Sequence, residues 1–307
     1  MQLIPDDIDF SAYMEEPEQH RVLPASSFLE QTAALFYPPA DKPKFATMLW
    51  EKARTRVQFR PGEVSLWAGV NGHGKSMFLS QVSLDLCHQG ERVMSASFEM
   101  TAPRQMQRMC RQAYAGDKPP MPYLAEMHRW TDNRLWIYDH MGAIDWRKLM
   151  AVLRYAHKTF GITQFVIDSL MKCVRGEDDY NGQKDFVNDL CSFAQANQVH
   201  VHLVHHVRKG ESEIKAPGKF DIRGASSITD LVDNVFIVWR NKRAGERDED
   251  DPGCQVAVEK QRHGEFEGKL GFWFDKDSQQ YLEQASALPV RYNLKAAQQP
   301  VPMAAPE

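Results

Sequence analysis

The sequence predicts an α/β domain: a mostly parallel central sheet with helices on both faces, and antiparallel strands at the C-terminal end. Three observations predict it. Between residues 64 and 239 short apolar runs alternate with longer segments of helical pattern. The first strand–helix junction carries a glycine-rich loop, Gly69-Val70-Asn71-Gly72-His73-Gly74-Lys75-Ser76. After residue 254 the alternation stops and closely spaced strands follow.

The elements follow in order. Residues 1–20 are acidic, with Asp6, Asp7, Asp9, Glu15, Glu16 and Glu18, and read as a flexible arm. Residues 27–37 and 43–55 read as helices separated by Pro38 and Pro39, so that 1–59 form an arm with linker helices. Residues 60–284 form one domain. Its first strands are 64–69, 92–98, 135–138, 164–168, 199–204 and 234–239, with helices at 76–89, 103–115, 144–159 and 183–197. Strands 255–261, 269–274 and 279–283 are the antiparallel additions. Residues 285–307, rich in Ala, Gln and Pro, read as a loose tail. There is no internal repeat.

With 307 residues, 43% hydrophobic and 25% charged, the composition is that of a globular protein. The net charge of -4 excludes a polycationic surface, so any nucleic-acid contact must use a local basic strip. No apolar run is long enough for a membrane span. The acidic start MQLIPDDIDF resembles neither a signal nor a transit peptide. Cys87, Cys110, Cys173, Cys191 and Cys254 are odd in number and form no C-x-x-C pair, which points to reduced thiols in a cytosol.

The loop from Gly69 to Ser76 fits G-x-x-x-x-G-K-[ST] and stands between a strand and a helix. Glycines Gly69, Gly72 and Gly74 let the backbone, including Asn71 and His73, curl its N–H groups toward phosphate. The helix N-terminus adds positive potential. Lys75 can reach the β- and γ-phosphates, and the Ser76 hydroxyl can hold Mg²⁺. A nucleoside triphosphate such as ATP, with Mg²⁺, is therefore the expected ligand. Asp168 ends the strand QFVID at the edge where ligands bind, so it can reach the metal; an ordinary turn after a strand is the bland alternative. Glu99, at the end of SASFE, can lie beside the γ-phosphate and position water, or simply cap the following helix. His73 itself is expected to point to solvent.

These pieces together resemble the RecA-like motor domain of DnaB-type replicative helicases, including those of phage primase-helicases and of Twinkle. The resemblance spans about residues 60–283. It rests on GEVSLWAGVNGHGKSMFLSQ, SFEM, FVIDSL, LVHHVRK, DIRGASSITDLVDNVFIVWRN and VEKQRHGEFEG, in the family's order. Phe98 and Ala225 replace the commoner Leu and Ser. The resemblance implies a RecA-like P-loop NTPase, a ring of six protomers and 5′→3′ movement on single-stranded DNA in replication. It also implies a separate primase or loader and the cytoplasm of a bacterial or phage-infected cell. It makes His206 the γ-phosphate sensor, and Arg262 with Lys260 the finger and companion given to the neighbouring subunit.

Each assignment has a physical counterpart. Arg262 can fork across phosphate oxygens, yet the same pair fits a solvated basic strand face. His200 and His202 share a strand face and could bind metal, but semi-buried strand residues are the simpler reading. Lys172 and Arg175 in loop 170–183, and Arg208, Lys209, Lys215, Lys219 and Arg223 in 207–223, could line a DNA channel by phosphate contact. Glu211 and Glu213 oppose a uniform basic strip. Phe272, Trp273 and Phe274 fit either adenine stacking or sheet packing, and Arg240 can approach a base or a neighbour. The first 60 residues lack a zinc-type cysteine pattern and are too short for a primase domain. The rival reading is a RecA-like switch, acting as helicase loader or recombination mediator, which needs no channel lysines.

Overall fold

The computed structural model describes residues 2–4, 25–37, 45–176, 178–207, 216–222, 228–241 and 251–294. Among them the strands are Gln2–Ile4 (β1), Ala46–Thr47 (β2), Gln58–Phe59 (β3), Val64–Ala68 (β4), Val93–Ser97 (β5) and Leu135–Tyr138 (β6). Gln164–Asp168 (β7), His200–Val204 (β8), Asn234–Arg240 (β9), Cys254–Gln261 (β10), Gly268–Phe274 (β11) and Tyr281–Leu282 (β12) follow. The helices are Leu29–Phe36 (α1), Glu51–Arg54 (α2), Lys75–His88 (α3), Ala102–Tyr114 (α4), Met121–Thr131 (α5), Trp146–Phe160 (α6) and Tyr180–Asn197 (α7).

Ten strands form one sheet in the order β1-β6-β5-β7-β8-β4-β9-β10-β11-β12. Pairing is parallel from β1 to β9 and antiparallel from β9 to β12. The fold is thus the mostly parallel sheet with antiparallel C-terminal strands that the alternation predicts. Strand residues are buried in unbroken runs because both faces are covered. Leu66 and Ala68 join one core with β5, β7 and the helices α6 and α7, whereas the intervening Trp67 joins another with α3, α4 and α5. All three are fully buried. The chain moves from β4 to β5 on one side and from β8 to β9 on the other, so a crevice opens beyond the C-terminal ends of these strands.

Several elements differ from the sequence reading. Gln2–Ile4 is not a free arm; it pairs in parallel with β6 as an edge strand. In place of the predicted helix 43–55 there is a short strand, a bend and the single turn α2. Met48 and Trp50 are buried, Trp50 stacks on Phe78 at 4.5 Å and its Nε1 donates to Tyr281 O at 2.7 Å. Tertiary burial of these two side chains overrides the local helical pattern. Residues 46–59 therefore pack into the domain whose expected start is residue 60. Helix α5 is absent from the sequence reading because its start, KPPMPY, looks like a loop. Proline in a first helical turn loses nothing, since that N–H has no helical partner. At the other end the expected loose tail is docked through its first residues: Val290 N–H donates to Gln280 Oε1 and Tyr292 N–H to Ala113 O.

Candidate nucleotide site

The phosphate loop leaves β4 and turns into α3. An added Cβ at Gly69 would strike Val238 O, and one at Gly74, where φ is 93°, would strike the Tyr281 hydroxyl. Both positions therefore need glycine on steric grounds. Lys75 folds back over the loop, its Nζ donating to Gly69 O at 2.8 Å and Val70 O at 3.1 Å. Burial pushes its pKa down to about 8, against the attraction of Asp168 and Glu99. A buried ammonium capped only by carbonyls suits an incoming phosphate.

Asp168 ends β7 beside this loop. Its carboxyl is hydrogen-bonded to the Ser76 side chain; burial raises its pKa, and Ser76, Lys75 and Arg108 oppose that rise. A hydroxyl and a carboxylate held together at a helix start form an oxygen donor pair fit for Mg²⁺. Phe98 N–H donates to Asp168 O at 2.9 Å, which sets Glu99 just beyond the metal-side acid. Glu99 is exposed and pairs with Lys172 at 3.5 Å, so its carboxylate faces the cleft rather than capping α4, whose N-terminus carries no side-chain cap. His206 follows β8; its Nε2 lies 3.5 Å from Ser169 Oγ.

Asn71, Gly72, Gly74, Lys75, Ser76, Glu99, Asp168 and His206 line one cleft of about 440 Å³, enough for a nucleotide-sized ligand. Sequence reasoning missed three other contributors to its wall: Met77, Arg108 and Tyr281. Arg108 comes from the middle of α4 and Tyr281 from the distant β12, and no local pattern marks either. Gln81 Oε1 accepts from Tyr281 N at 2.7 Å, which fastens β12 to α3 and brings the tyrosine under the loop.

The aromatic run has one member in the core and one at the cleft. Phe272 is buried in the core, while Phe274 lines the cleft with Arg240, whose guanidinium lies 4.9 Å from the ring centroid. His73 departs from expectation. It is fully buried rather than solvent-facing, and its Nδ1 accepts from Arg240 N at 3.2 Å. It fastens the phosphate loop to β9 instead of touching the cleft.

His200 and His202 are also fully buried, their rings 4.7 Å apart. His200 donates from Nδ1 to Arg60 O and meets Ser65 at Nε2; His202 accepts from Trp67 at Nδ1 and meets Gln164 at Nε2. Their nitrogens are used in the core, and burial lowers both pKa values.

Lys260 and Arg262 lie elsewhere. Lys260 Nζ donates to Thr229 O and Val232 O at 2.8 and 2.7 Å, and Arg262 sits 3.2 Å from Asp233. Asp233 N–H donates to Val64 O, at the start of β4, whereas the phosphate loop follows its end. Gln261 pairs with Asn234 and Cys254 with Arg240, so the basic pair and the cleft occupy opposite ends of β9 and β10. Six residues of strand separate them by about 20 Å.

Of the residues assigned to nucleic acid, Lys172 and Arg175 leave the C-terminal end of β7 on the cleft side, and Arg175 is exposed. Lys219 begins a short 3-10 turn, Lys219–Asp221. Arg208, Lys209, Lys215 and Arg223 lie outside the described residues. The ends of their loop are joined where Val207 bridges Ile222.

A phosphate loop facing a strand-end aspartate at the crevice of a parallel sheet defines a nucleotide-binding α/β domain. The chain belongs to the AAA domain family, whose match covers residues 56–212, slightly more than half of its length. It is 24% identical over 207 residues to a DNA helicase/primase of Enterobacteria phage T3. The match covers 60% of this chain and 36% of that protein, so the chain spans about a third of its relative's length. A solved ATPase domain superposes with a TM-score of 0.71 at 17% identity, covering 85% of this chain and 99% of that one. A DnaB-like replicative helicase, solved in a study of its interactions with primase, gives 0.73 at 16% identity, over 84% and 68%. The fold is therefore that of the RecA-like ATPase domains of DnaB-like helicases. Among the described residues no helix is long and apolar enough to cross a membrane.

Proposed function

We propose that the chain is the motor domain of a DnaB-type ring helicase, which hydrolyses ATP to move along single-stranded DNA in replication. One observation carries the reading beyond nucleotide binding. The cleft and the Lys260–Arg262 pair stand at opposite ends of the same strands, so this pair cannot reach the cleft of its own protomer. A neighbour's pair can, if the two protomers meet at this cleft. The phage helicase/primase relative supports the same reading.

In this mechanism Lys75 holds the β- and γ-phosphates, and Ser76 and Asp168 hold Mg²⁺, which supplies charge neutralisation on the triphosphate. Glu99 orients the attacking water. Arg262 of the next protomer steadies charge developing on the terminal phosphate, with Lys260 beside it. Arg240 and Phe274 form the wall for the base. His206, at the end of β8, reads the terminal phosphate and passes its loss to the loop 207–223. That loop and loop 170–183 supply the phosphate-binding cations, Arg208, Lys209, Lys215, Lys219 and Arg223 with Lys172 and Arg175. Lys172 links the two functions, because DNA that draws Lys172 away frees the Glu99 carboxylate. The assembly is a hexamer acting with a separate primase or loader in the cytoplasm of a bacterial or phage-infected cell. Its 5′→3′ direction follows from the family resemblance.

The test combines ATPase rate with and without single-stranded DNA, strand displacement on a forked duplex, and mass with and without nucleotide. Stimulated hydrolysis, displacement and a nucleotide-dependent ring are expected. Lys75→Ala abolishes hydrolysis, and Arg262→Ala abolishes it while leaving nucleotide binding. A strict monomer that hydrolyses ATP at full rate after Arg262→Ala would sink the shared site.

A further inference from the structure

Arg108 has no role in the mechanism above, and nothing local in the sequence marks it. It projects from the middle of α4, on the face it shares with Arg104 and Arg111, spaced four and three residues away. Arg111 is engaged by main-chain carbonyls, donating to Asp277 O and Lys276 O. Arg104 lies at the outer end, in a surface trough with Gln107 and Gln279. Arg108 borders that trough too, and also lines the nucleotide cleft and a small adjoining cavity where Ser76, Ser97, Met100 and Asp168 meet.

A guanidinium has five donors and is costly to bury without acceptors. Among the described residues Arg108 donates no hydrogen bond; its electrostatic partners are Asp168 and Tyr281. Burial lowers its pKa, but an arginine stays charged. The protein thus holds a half-buried cation, open to the cleft and without a hydrogen-bond acceptor among the described residues, next to the carboxylate assigned to Mg²⁺. Once a metal neutralises Asp168, that charge needs another anion. Its neighbours Ser76, Met100 and Asp168 bracket the metal-side acid and the segment bearing Glu99, whereas the base wall stands at Arg240 and Phe274.

We propose that Arg108 is a nucleotide-contacting residue of the chain's own site, binding terminal-phosphate oxygens on the magnesium side. It distinguishes triphosphate from diphosphate before any neighbouring subunit arrives. The inference rests on the nucleotide reading of the cleft, and its test separates the two.

The full chain is titrated with Mg-ATP and with Mg-ADP by calorimetry, alongside Lys75→Ala, Arg108→Gln and Arg108→Lys, and each apo protein is melted. Arg108→Gln is expected to weaken ATP about tenfold or more, as for loss of a charge-assisted contact, and ADP far less. Its apo Tm should change little, because the half-buried guanidinium makes no hydrogen bond among the described residues of the free protein. Arg108→Lys should recover part of the preference for ATP. Unchanged ATP affinity in Arg108→Gln overturns the proposal, as does equal loss for ATP and ADP, which would mark a contact to the inner phosphates or a packing role. If Arg108→Gln fails to fold, the lysine variant decides alone: a preference for ATP equal to wild type overturns the proposal, and a reduced one supports it. Wild type binding neither nucleotide would instead remove the nucleotide reading itself.

Discussion

At the residue scale, Lys75 is the group whose chemistry is most open to measurement. In the free protein its ammonium is buried, with a pKa of about 8, because desolvation outweighs the attraction of Asp168 and Glu99. Phosphate favours the charged form and must raise that value. Below pH 7 the lysine is charged both free and bound, so binding moves no proton there. Near pH 8 about half of the free protein lacks the proton, so binding should take up roughly half a proton at this group. Calorimetry in two buffers of different ionisation enthalpy reads this directly; no uptake between about pH 7.5 and 8.5 would rule out the depressed value. The same scale shows what the sequence can carry. Lys75, Ser76, Asp168 and Glu99 are legible because a fixed spacing and a strand end place each one locally. The position of His73 is not, because its surroundings come from β9, over 160 residues later, and Arg108 and Tyr281 escape the sequence for the same reason.

At the element scale, β8 explains how histidine can be a core residue. His200 and His202 replace apolar side chains within a fully buried strand, which is tolerable only because Ser65, Trp67, Gln164 and the Arg60 carbonyl meet their nitrogens. Such a strand is stable only while its imidazoles stay neutral. Burial pushes His200 down to about 4, below its ordinary 6.5. The unfolded chain therefore takes up the proton first. Stability is unaffected above pH 6.5 and falls as pH drops toward 4, by up to about 3 kcal/mol from this residue. Denaturant melts across that range should show the loss, and His200→Gln should flatten the acid limb; an unchanged slope would exclude this histidine as its source. Elements with their own periodicity, such as α4 and α6, are readable to within a few residues. The segment 46–59 is not, because Trp50 is held by Phe78 of α3 and Tyr281 of β12 and Met48 is buried with it.

At the scale of the whole molecule, the sheet has a chemical direction. Its crevice end carries the loop, the acids and His206, and its other end carries Lys260 and Arg262. The order of motifs along the chain is legible in the sequence, but their distribution between two ends is not, since that follows from the antiparallel return of β10 beside β9. If the basic pair serves a neighbouring cleft, as proposed, protomers associate head to tail, and such contacts close into rings or run on as filaments rather than forming two-fold pairs. Genetically, this separates one activity into two complementable halves. A Lys75→Ala subunit still donates a sound Arg262, and an Arg262→Ala subunit still offers a sound Lys75. Mixed one to one at random, two inactive proteins should rebuild intact interfaces at about a quarter of their junctions. Hydrolysis that reappears on mixing, and in neither preparation alone, would be the mark of a catalytic centre that no single polypeptide owns.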